Sequence, residues 1–342
     1  MPRTSPSRLE LALISEVEKY GYTVTAPRLE RWRQRLWLAR TKDWCTPDGA
    51  VRPEIIKRTI DLAHASTQGR SISWAGWAFW AIDDTPETAA LLRQALLTAL
   101  RRPLERAGVD VDQVPQGDSD EAFDAREELA NQLMCNRRSP RRDLDGALRA
   151  GAAEAGVTLP PAQTVPNIFH STLTEPGARM MIGGTADVGF DALMESWEAT
   201  WPEGKELIEH IRAAYHQAAL AGVDLMAESP LATGYVGLIQ AVENADDERL
   251  CAAVRACTRA SGTLAVLWIR AGQNPGVVPR LMNDVMWDQW VRVGGLAPGG
   301  AGGEAAIAIN TVQYLVLPGW ANDLHRYQAF MDSLINTPGA CP

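Results

Sequence analysis

Two sets of charged side chains in this 342-residue sequence are spaced closely enough to act together on a ligand. The acidic set is Asp83, Asp84 and Glu87, an Asp-Asp-x-x-Glu cluster whose carboxylates could hold Mg²⁺ ions against a diphosphate. The basic set lies at residues 23–40, TVTAPRLERWRQRLWLAR. Its guanidinium groups could bind the phosphate oxygens or the guanine edges of DNA.

The basic stretch is predicted to form a short helix with one apolar face. Thr25 suits the N-cap position, and Pro27 in the first turn costs no helical hydrogen bond. Leu29, Trp32 and Leu36 follow at helical spacing, so they share one face and are expected to pack inward. These residues therefore predict where the helix starts and which of its faces points inward.

The arginines of this helix are predicted to lie away from the apolar face. Arg28, Arg31 and Arg35 form a second row at helical spacing, displaced by about 100° from the first. Arg33 stands apart from this row, near the loop that follows. The spacing does not decide which arginine reads bases and which binds phosphates. The side chains expected to contact DNA are those of Thr25, Arg28, Arg31, Arg33, Arg35, Arg40 and Lys42.

The neighbouring segments place this helix in a helix-turn-helix. Residues 7–20 have apolar side chains at helical spacing and end at Gly21, a natural helix terminus. About four residues then separate the two helices, as this motif requires. Residues 39–51 are polar, contain Pro and Gly, and are predicted to form a loop or small wing. Further helices are predicted at residues 53–66, through SWAGWAFWAI, and at residues 88–106.

Residues 13–92 resemble the DNA-binding domain of the mercury-resistance (MerR) regulator superfamily. The matching string, LISEVEKYGYTVTAPRLERWRQRLWLA, holds a first helix, a glycine turn and a second helix with the apolar face Leu29, Trp32 and Trp37 or Leu36. The resemblance implies that the second helix enters a major groove, with its first residues near base edges and flanking basic residues on phosphates. Where the family has a wing of Gly-Tyr-Arg type, this chain has ARTKDWCTPDGAV.

Composition predicts an all-α, mostly helical protein and confines DNA contact to its N-terminal part. Hydrophobic residues make up 46% of the chain and charged residues 22%, while apolar alternation of period two is scarce. The net charge is −9, yet residues 1–70 hold 13 Lys and Arg against 8 Asp and Glu, a net +5 that leaves −14 for the rest. The chain as a whole therefore lacks the positive charge that is typical of a protein that binds nucleic acid over its entire surface.

Three regions are predicted along the chain. Residues 1–105 form the MerR-like helix-turn-helix domain, residues 106–121 an acidic linker rich in Pro and Gly, and residues 122–342 a larger helical domain for sensing an effector or for oligomerisation. The apolar runs at residues 262–272 and 305–317 are each compatible with a helix or a strand. Other helices are predicted at residues 121–132, 144–155, 190–200, 204–221, 246–261, 279–293 and 320–335.

Most catalytic and metal-binding patterns are missing from the sequence. The five cysteines show no CxxC pair or zinc spacing, and the five histidines make no HExxH motif. Neither GxSxG nor a phosphate-binding loop is present, so no cofactor is expected. We also expect no membrane contact and a cytoplasmic location, since there is neither a signal peptide nor a run of about 18 apolar residues.

The acidic cluster leaves one enzymatic alternative open. Asp83-Asp84-x-x-Glu87 resembles the first metal motif of class I terpene cyclases, which are all-α and often carry an Arg-Tyr pair near the C-terminus, as this chain does. The resemblance implies Mg²⁺-dependent chemistry on an isoprenoid diphosphate. The second metal motif of that family is not found at its usual place. The same residues suit a helix N-terminus with Asp84 or Thr85 as cap, and we favour that interpretation.

The sequence therefore predicts a transcriptional regulator that binds double-stranded DNA. One helix-turn-helix reads few base pairs, so a homodimer on two half-sites is expected. A small apolar effector could bind among tryptophans of the C-terminal half, although tryptophans also serve as ordinary helix packing. The open alternatives are the Mg²⁺-dependent cyclase and a structural or interaction protein of a larger assembly, such as one of phage type. The tryptophans concerned are Trp197, Trp201, Trp268, Trp287, Trp290 and Trp320.

Overall fold

A computed structural model describes residues 6–67, 72–135, 175–200, 205–229, 231–259 and 303–316. Over these residues the backbone forms thirteen α-helices, two short 3-10 turns and an isolated β-bridge, with no strand, which confirms the all-α prediction. The helices are α1 (Arg8–Glu18), α2 (Ala26–Gln34), α3 (Pro53–Thr67), α4 (Ser73–Asp83), α5 (Pro86–Arg106), α6 (Asp120–Cys135), α7 (Glu175–Gly183), α8 (Thr185–Val188), α9 (Phe190–Thr200), α10 (Lys205–Leu220), α11 (Gly234–Asn244), α12 (residues 247–259) and α13 (Gly303–Val316).

The chain divides into two compact units, and the division differs from the predicted domains. One unit takes in Met1–Leu96 together with Ala245–Pro342, and the other takes in Leu97–Asn244. The first break falls inside α5, which runs on as one continuous helix. The boundaries that the sequence predicts at residues 105 and 121 are therefore not those of the compact units.

The first two helices form where the sequence predicts because each has a clear start. Ser7 caps α1 in a capping box: the Glu10 N–H donates to the Ser7 hydroxyl at 3.2 Å, and the Ser7 N–H donates to the Glu10 carboxylate at 2.6 Å. Gly21 then takes a φ of +81°, a left-handed conformation suited to glycine, and turns the chain toward α2. Thr25 is the N-cap of α2 as predicted, but its side chain makes no capping bond.

The second helix ends earlier than the apolar spacing predicts. α2 stops at Gln34, and Leu36 has a φ of +54°, a left-handed conformation that costs a non-glycine residue about 1–2 kcal/mol. This turn brings Trp37 back toward the helix. The main-chain N–H of Trp37 donates to the Trp32 carbonyl at 2.8 Å. Trp37 is buried and Leu36 is only half-buried, so Trp37 completes the apolar face.

The core of the first unit holds α2 by its apolar face. α1 packs against α2 and α3, and α3 packs against α4. Leu13 of α1, Leu29 of α2 and Leu62 of α3 are fully buried in this core. Burial of a side chain of this size stabilises the fold by roughly 1.5–3 kcal/mol. The packing therefore fixes which face of α2 is left outward.

Two helices from far along the chain also belong to the first unit. α13 packs against α4. Arg93 of α5 donates to the Ala245 carbonyl at 2.8 Å and to Asp247 at 2.7 Å. Arg255 of α12 donates to the Ala81 carbonyl at 2.6 Å. These bonds join residues 152 to 174 positions apart, so the local spacing of the sequence does not reveal them.

The second unit is organised around α7 and a buried ion pair. α7 packs against α6, α8, α9 and α11. Arg126 of α6 and Asp187 of α8 bond twice, at 2.7 and 2.8 Å, with side chains only 9% and 8% exposed. The Asp187 hydrogen bond raises the pKa of Arg126. Arg126 also donates to the carbonyls of Pro115 and Gly117, so the buried charge has the partners that burial demands.

The segment predicted as a linker, residues 106–121, is packed into the second unit. It contains the 3-10 turn Val111–Gln113, which contacts α11. Val109, Val111 and Val114 are each at most 5% exposed. A flexible linker exposes its side chains to water, so the linker prediction is corrected by the burial of three valines that stand among the Pro, Gly and acidic residues.

Several other helix predictions can be compared with the structure. The predicted helices at residues 121–132, 190–200, 204–221 and 246–261 correspond to α6, α9, α10 and α12. Residues 303–316 form α13, so the apolar run predicted at residues 305–317 as a helix or a strand is a helix over its described part. The predictions at residues 144–155, 262–272, 279–293 and 320–335 lie outside the described residues. Across the described ranges, we find no helix with both the length and the apolar character needed to cross a membrane.

Candidate nucleic-acid interface

The face of α2 opposite the core carries arginines without acidic partners. Leu29 and Trp32 are buried, which leaves Arg31 exposed and Arg28 partly exposed. Within the described residues, neither arginine side chain forms an ion pair or a hydrogen bond. A guanidinium group without a partner keeps all of its N–H donors for an external anion.

Arg33 of the same helix is engaged inside the fold. Its guanidinium bonds to the carboxylate of Glu30 and to the hydroxyl of Thr41. It also lies 4.0 Å from a carboxylate oxygen of Glu10 on α1. Arg33 therefore links α1, α2 and the turn after α2, and neighbouring acids balance its charge. It belongs to the predicted set of DNA contacts, and the structure places it beside α1.

Two further cations follow α2 in an ordered turn. Arg40 and Lys42 are exposed and lie at the 3-10 turn Thr41–Asp43. Among the residues that the structure describes, neither side chain has a bonding partner. Fully buried Trp44 anchors this turn, and its indole N–H donates to the Ala39 carbonyl at 2.7 Å. The two cations thus stand on a fixed segment directly after the helix.

The predicted wing is a very short hairpin. Cys45 and Val51 form an isolated antiparallel bridge, and Gly49 with a φ of +86° closes the tip. The tip also carries Asp48, whose pKa is lowered by hydrogen bonds from the Thr46 hydroxyl and from the backbone. The wing tip is therefore anionic at neutral pH, whereas a wing that follows a phosphate backbone is expected to be basic.

Arg35 is supported by aromatic side chains. Its guanidinium carbon lies 4.8 Å from the ring centre of Trp37, at a distance typical of cation–π contact. Trp37 is 2% exposed, and its ring rests on Gly76 of α4. The indole N–H of Trp80 donates to the Arg35 carbonyl at 2.9 Å. α4 therefore holds the backbone of Arg35 directly and its side chain through Trp37.

The acidic cluster is paired with arginines. Arg58 donates to both carboxylate oxygens of Asp83 at 2.8 Å. Arg255 donates to Asp84 at 2.9 Å, and this hydrogen bond lowers the pKa of Asp84. Glu87 is exposed in the first turn of α5. In the described part of the chain, no three His, Cys, Asp or Glu side chains are grouped so as to hold a metal ion.

The interpretation of this cluster as a helix terminus is confirmed. α4 ends at Asp83, and Asp84 is its C-cap with a left-handed φ of +49°. The Thr88 N–H donates to the Thr85 hydroxyl at 3.2 Å, and the Thr85 N–H donates to the Thr88 hydroxyl at 3.1 Å. Pro86 is the first residue of α5, so Thr85 caps this helix and Asp84 does not.

The tryptophans proposed as an effector pocket fall almost entirely outside the described residues. Trp197 lies in α9. Trp77 and Trp80, by contrast, are buried in α4 as packing residues. The apolar effector therefore stays a prediction. The tryptophans that are not described are Trp201, Trp268, Trp287, Trp290 and Trp320.

Sequence reasoning did not connect Gly76 and Trp80 with Arg35. A signal was present, because a single glycine inside the helical pattern SWAGWAFWAI indicates a close approach by another group. The group that approaches is Trp37, from the turn after α2. Only the folded chain shows this pairing.

Comparison of the chain with protein-family models, curated proteins and solved structures yielded no match. The resemblance of residues 13–92 to MerR regulators therefore stays a prediction from the sequence.

Proposed function

We propose that this protein is a transcriptional regulator that binds double-stranded DNA through α2 and the turn after it. The observation that carries the proposal is the group of exposed or partly exposed cations without acidic partners among the described residues: Arg28, Arg31, Arg40 and Lys42. In a helix-turn-helix, the second helix enters the major groove and its first residues meet the bases. Arg28 and Arg31 then read base edges, while Arg40 and Lys42 bind phosphates.

The distribution of acidic residues on α2 supports the interpretation that its arginines bind an external anion. On an ordinary solvated face, neighbouring acids would balance these arginines. Glu30 is the acid of this helix, and it is committed to Arg33. Arg28 and Arg31 are left unbalanced. Residues 1–70 carry a net +5 within a chain of net −9, so positive charge is concentrated where this helix lies. A concentrated positive surface steers a polyanion toward it.

The small size of this surface favours a homodimer. α2 has nine residues, and the anionic wing tip at Asp48 does not suit a phosphate contact. A single module of this kind binds weakly, whereas two modules on two half-sites gain affinity by effective concentration. We assign sensing of an effector, or assembly, to the second unit, Leu97–Asn244, and we place the protein in the cytoplasm with its DNA.

Fluorescence anisotropy with labelled duplex fragments of the source genome tests this proposal. The full chain is expected to bind selected fragments at low salt and to release them as salt rises. Arg28→Ala and Arg31→Ala are each expected to weaken binding to those fragments by about tenfold, the usual effect of removing one base-reading side chain. Absence of any binding by the wild-type chain at low salt would remove the proposal.

A further inference from the structure

Arg35 is held in a way that the structure does not show for the neighbouring arginines. We propose that Trp37, seated on Gly76 of α4, is a positioning residue that presents the guanidinium edge of Arg35 to a DNA phosphate; this inference rests on the proposed function. The guanidinium carbon of Arg35 lies over the Trp37 ring, 4.8 Å from the ring centre. No such ring contact is found for Arg28 or Arg31 within the described residues.

Stacking uses the face of a guanidinium and leaves its edges free. The N–H donors of arginine lie in the plane of the group, so an indole beneath that plane blocks none of them. Arg35 is exposed, and none of its side-chain N–H groups is bonded within the described residues. Its backbone is fixed as well, because Trp80 donates to its carbonyl at 2.9 Å. An arginine ordered in advance loses less side-chain freedom when it binds.

Gly76 is the part of α4 that makes this stack possible. A Cβ atom at residue 76 would lie 2.0 Å from Nε1 and 2.1 Å from Cε2 of Trp37, far inside contact distance. Glycine weakens a helix relative to alanine, so a glycine in the middle of α4 needs a reason. The seat for the indole of Trp37 is that reason.

The unpaired nitrogen of Trp37 supports a role for its ring. Nε1 of Trp37 is buried and has no hydrogen-bond partner in the described part of the chain. A buried indole usually finds such a partner, and leaving it without one is unfavourable. Leucine or phenylalanine at this position would avoid the unpaired donor. Tryptophan, however, offers the best aromatic face for a cation, which explains its presence beneath Arg35.

The test measures binding of the full chain to a labelled duplex of arbitrary sequence, so that base reading plays no part. Arg35→Lys keeps the charge and loses the flat stacking group, and the substitution leaves the core untouched. Arg106→Lys is its matched control, because Arg106 is exposed, lies outside the surface assigned to DNA and has no ring contact among the described residues. Gly76→Ala removes the seat of Trp37 from a distance, and Gly177→Ala is the control at a helical glycine with open space around it.

The expected result is a loss of about threefold in affinity for Arg35→Lys, the size of an exposed cation–π contact, and no more than about 1.5-fold for Arg106→Lys. Gly76→Ala is expected to match Arg35→Lys and to add nothing to Arg35→Ala, because both act on one group. Gly177→Ala is expected to bind like the wild-type chain.

Equal effects of the two lysine variants, or additive effects of Gly76→Ala and Arg35→Ala, would overturn the inference while leaving DNA binding intact. Should Gly76→Ala fail to fold, the comparison of Arg35→Lys with Arg106→Lys decides alone. A wild-type chain that binds no duplex overturns the proposed function and this inference together.

Discussion

Trp80 and Arg35 are joined by a 2.9 Å hydrogen bond from the indole N–H to the main-chain carbonyl, across 45 residues of sequence. The carbonyl stands at the C-cap of α2, where a helix leaves its last acceptors unsatisfied. α4 thus supplies a bond that α2 cannot make for itself. The surface that we assign to DNA therefore depends on the tryptophan-rich helix behind it.

Trp80→Phe is expected to loosen the end of α2. The change removes the donor to the Arg35 carbonyl and should lower the free energy of unfolding by about 1–2 kcal/mol. Hydrogen exchange measured by mass spectrometry should accelerate in peptides that cover residues 31–38. Trp44→Phe is the matched control, since it removes an indole bond to Ala39 instead. Unchanged exchange at residues 31–38 would show that the Trp80 bond does not hold α2.

Asp83→Asn is expected to affect stability and not magnesium binding. Arg58 bonds to both oxygens of Asp83 and lies over Phe79 at 4.3 Å, so the variant should lose about 1–2 kcal/mol of stability. Calorimetric titration with Mg²⁺ and inorganic diphosphate should give the same heats for variant and wild type. Magnesium binding that the wild type shows and Asp83→Asn loses would instead favour the cyclase alternative.

Asp187→Asn is expected to destabilise the second unit strongly. It leaves the buried guanidinium of Arg126 without its counter-charge, a change that typically costs about 3–5 kcal/mol. The control is Asp191→Asn, because Asp191 is 83% exposed in its pair with Arg212 and should contribute less than about 1 kcal/mol. Urea unfolding of the two variants measures the difference. Similar urea midpoints of unfolding for both variants would mean that the buried Arg126 pair contributes no more to stability than the exposed pair.

The thiols of Cys251 and Cys257 are expected to resist alkylation at pH 8. Burial raises the pKa of each from an ordinary value of 9.0 to about 11, so the reactive thiolate is scarce. Their contribution to stability is complete below pH 9 and is lost as pH rises through 11, because only the unfolded thiol ionises early. Peptide mass spectrometry after iodoacetamide treatment should find Cys45 modified before Cys251 and Cys257. Early modification of Cys257 would contradict the burial.

Local signals predicted α1 and α2 well because caps and turns act within a few residues. Thr25, Pro27 and Gly21 mark the helix starts and the turn, and the structure uses each of them there. The end of α2 was harder to predict, because the left-handed Leu36 is imposed by packing of Trp37 and not by its own preference. Side-chain spacing alone could not choose between these two residues.

Contacts between residues far apart in the sequence limited how well the domains and the site could be predicted. Arg93 meets Asp247, and Arg33 meets Glu10 on another helix, and neither contact has a local signature. The sequence therefore did not show that Arg33 lies beside α1, and it drew boundaries at residues 105 and 121 that differ from those of the compact units. The valines of residues 106–121 were a readable sign of packing that the Pro and Gly content concealed.

The salt dependence of DNA binding tests the central claim most directly. Removing one phosphate-binding cation should reduce the slope of log K against log salt by about 0.9, so Arg40→Ala combined with Lys42→Ala should reduce it by about 1.8 per subunit. Arg106→Ala, an exposed arginine of the second unit, should leave the slope unchanged. If the double variant keeps the wild-type slope, or if Arg106→Ala lowers it equally, the cations after α2 do not bind the DNA phosphates.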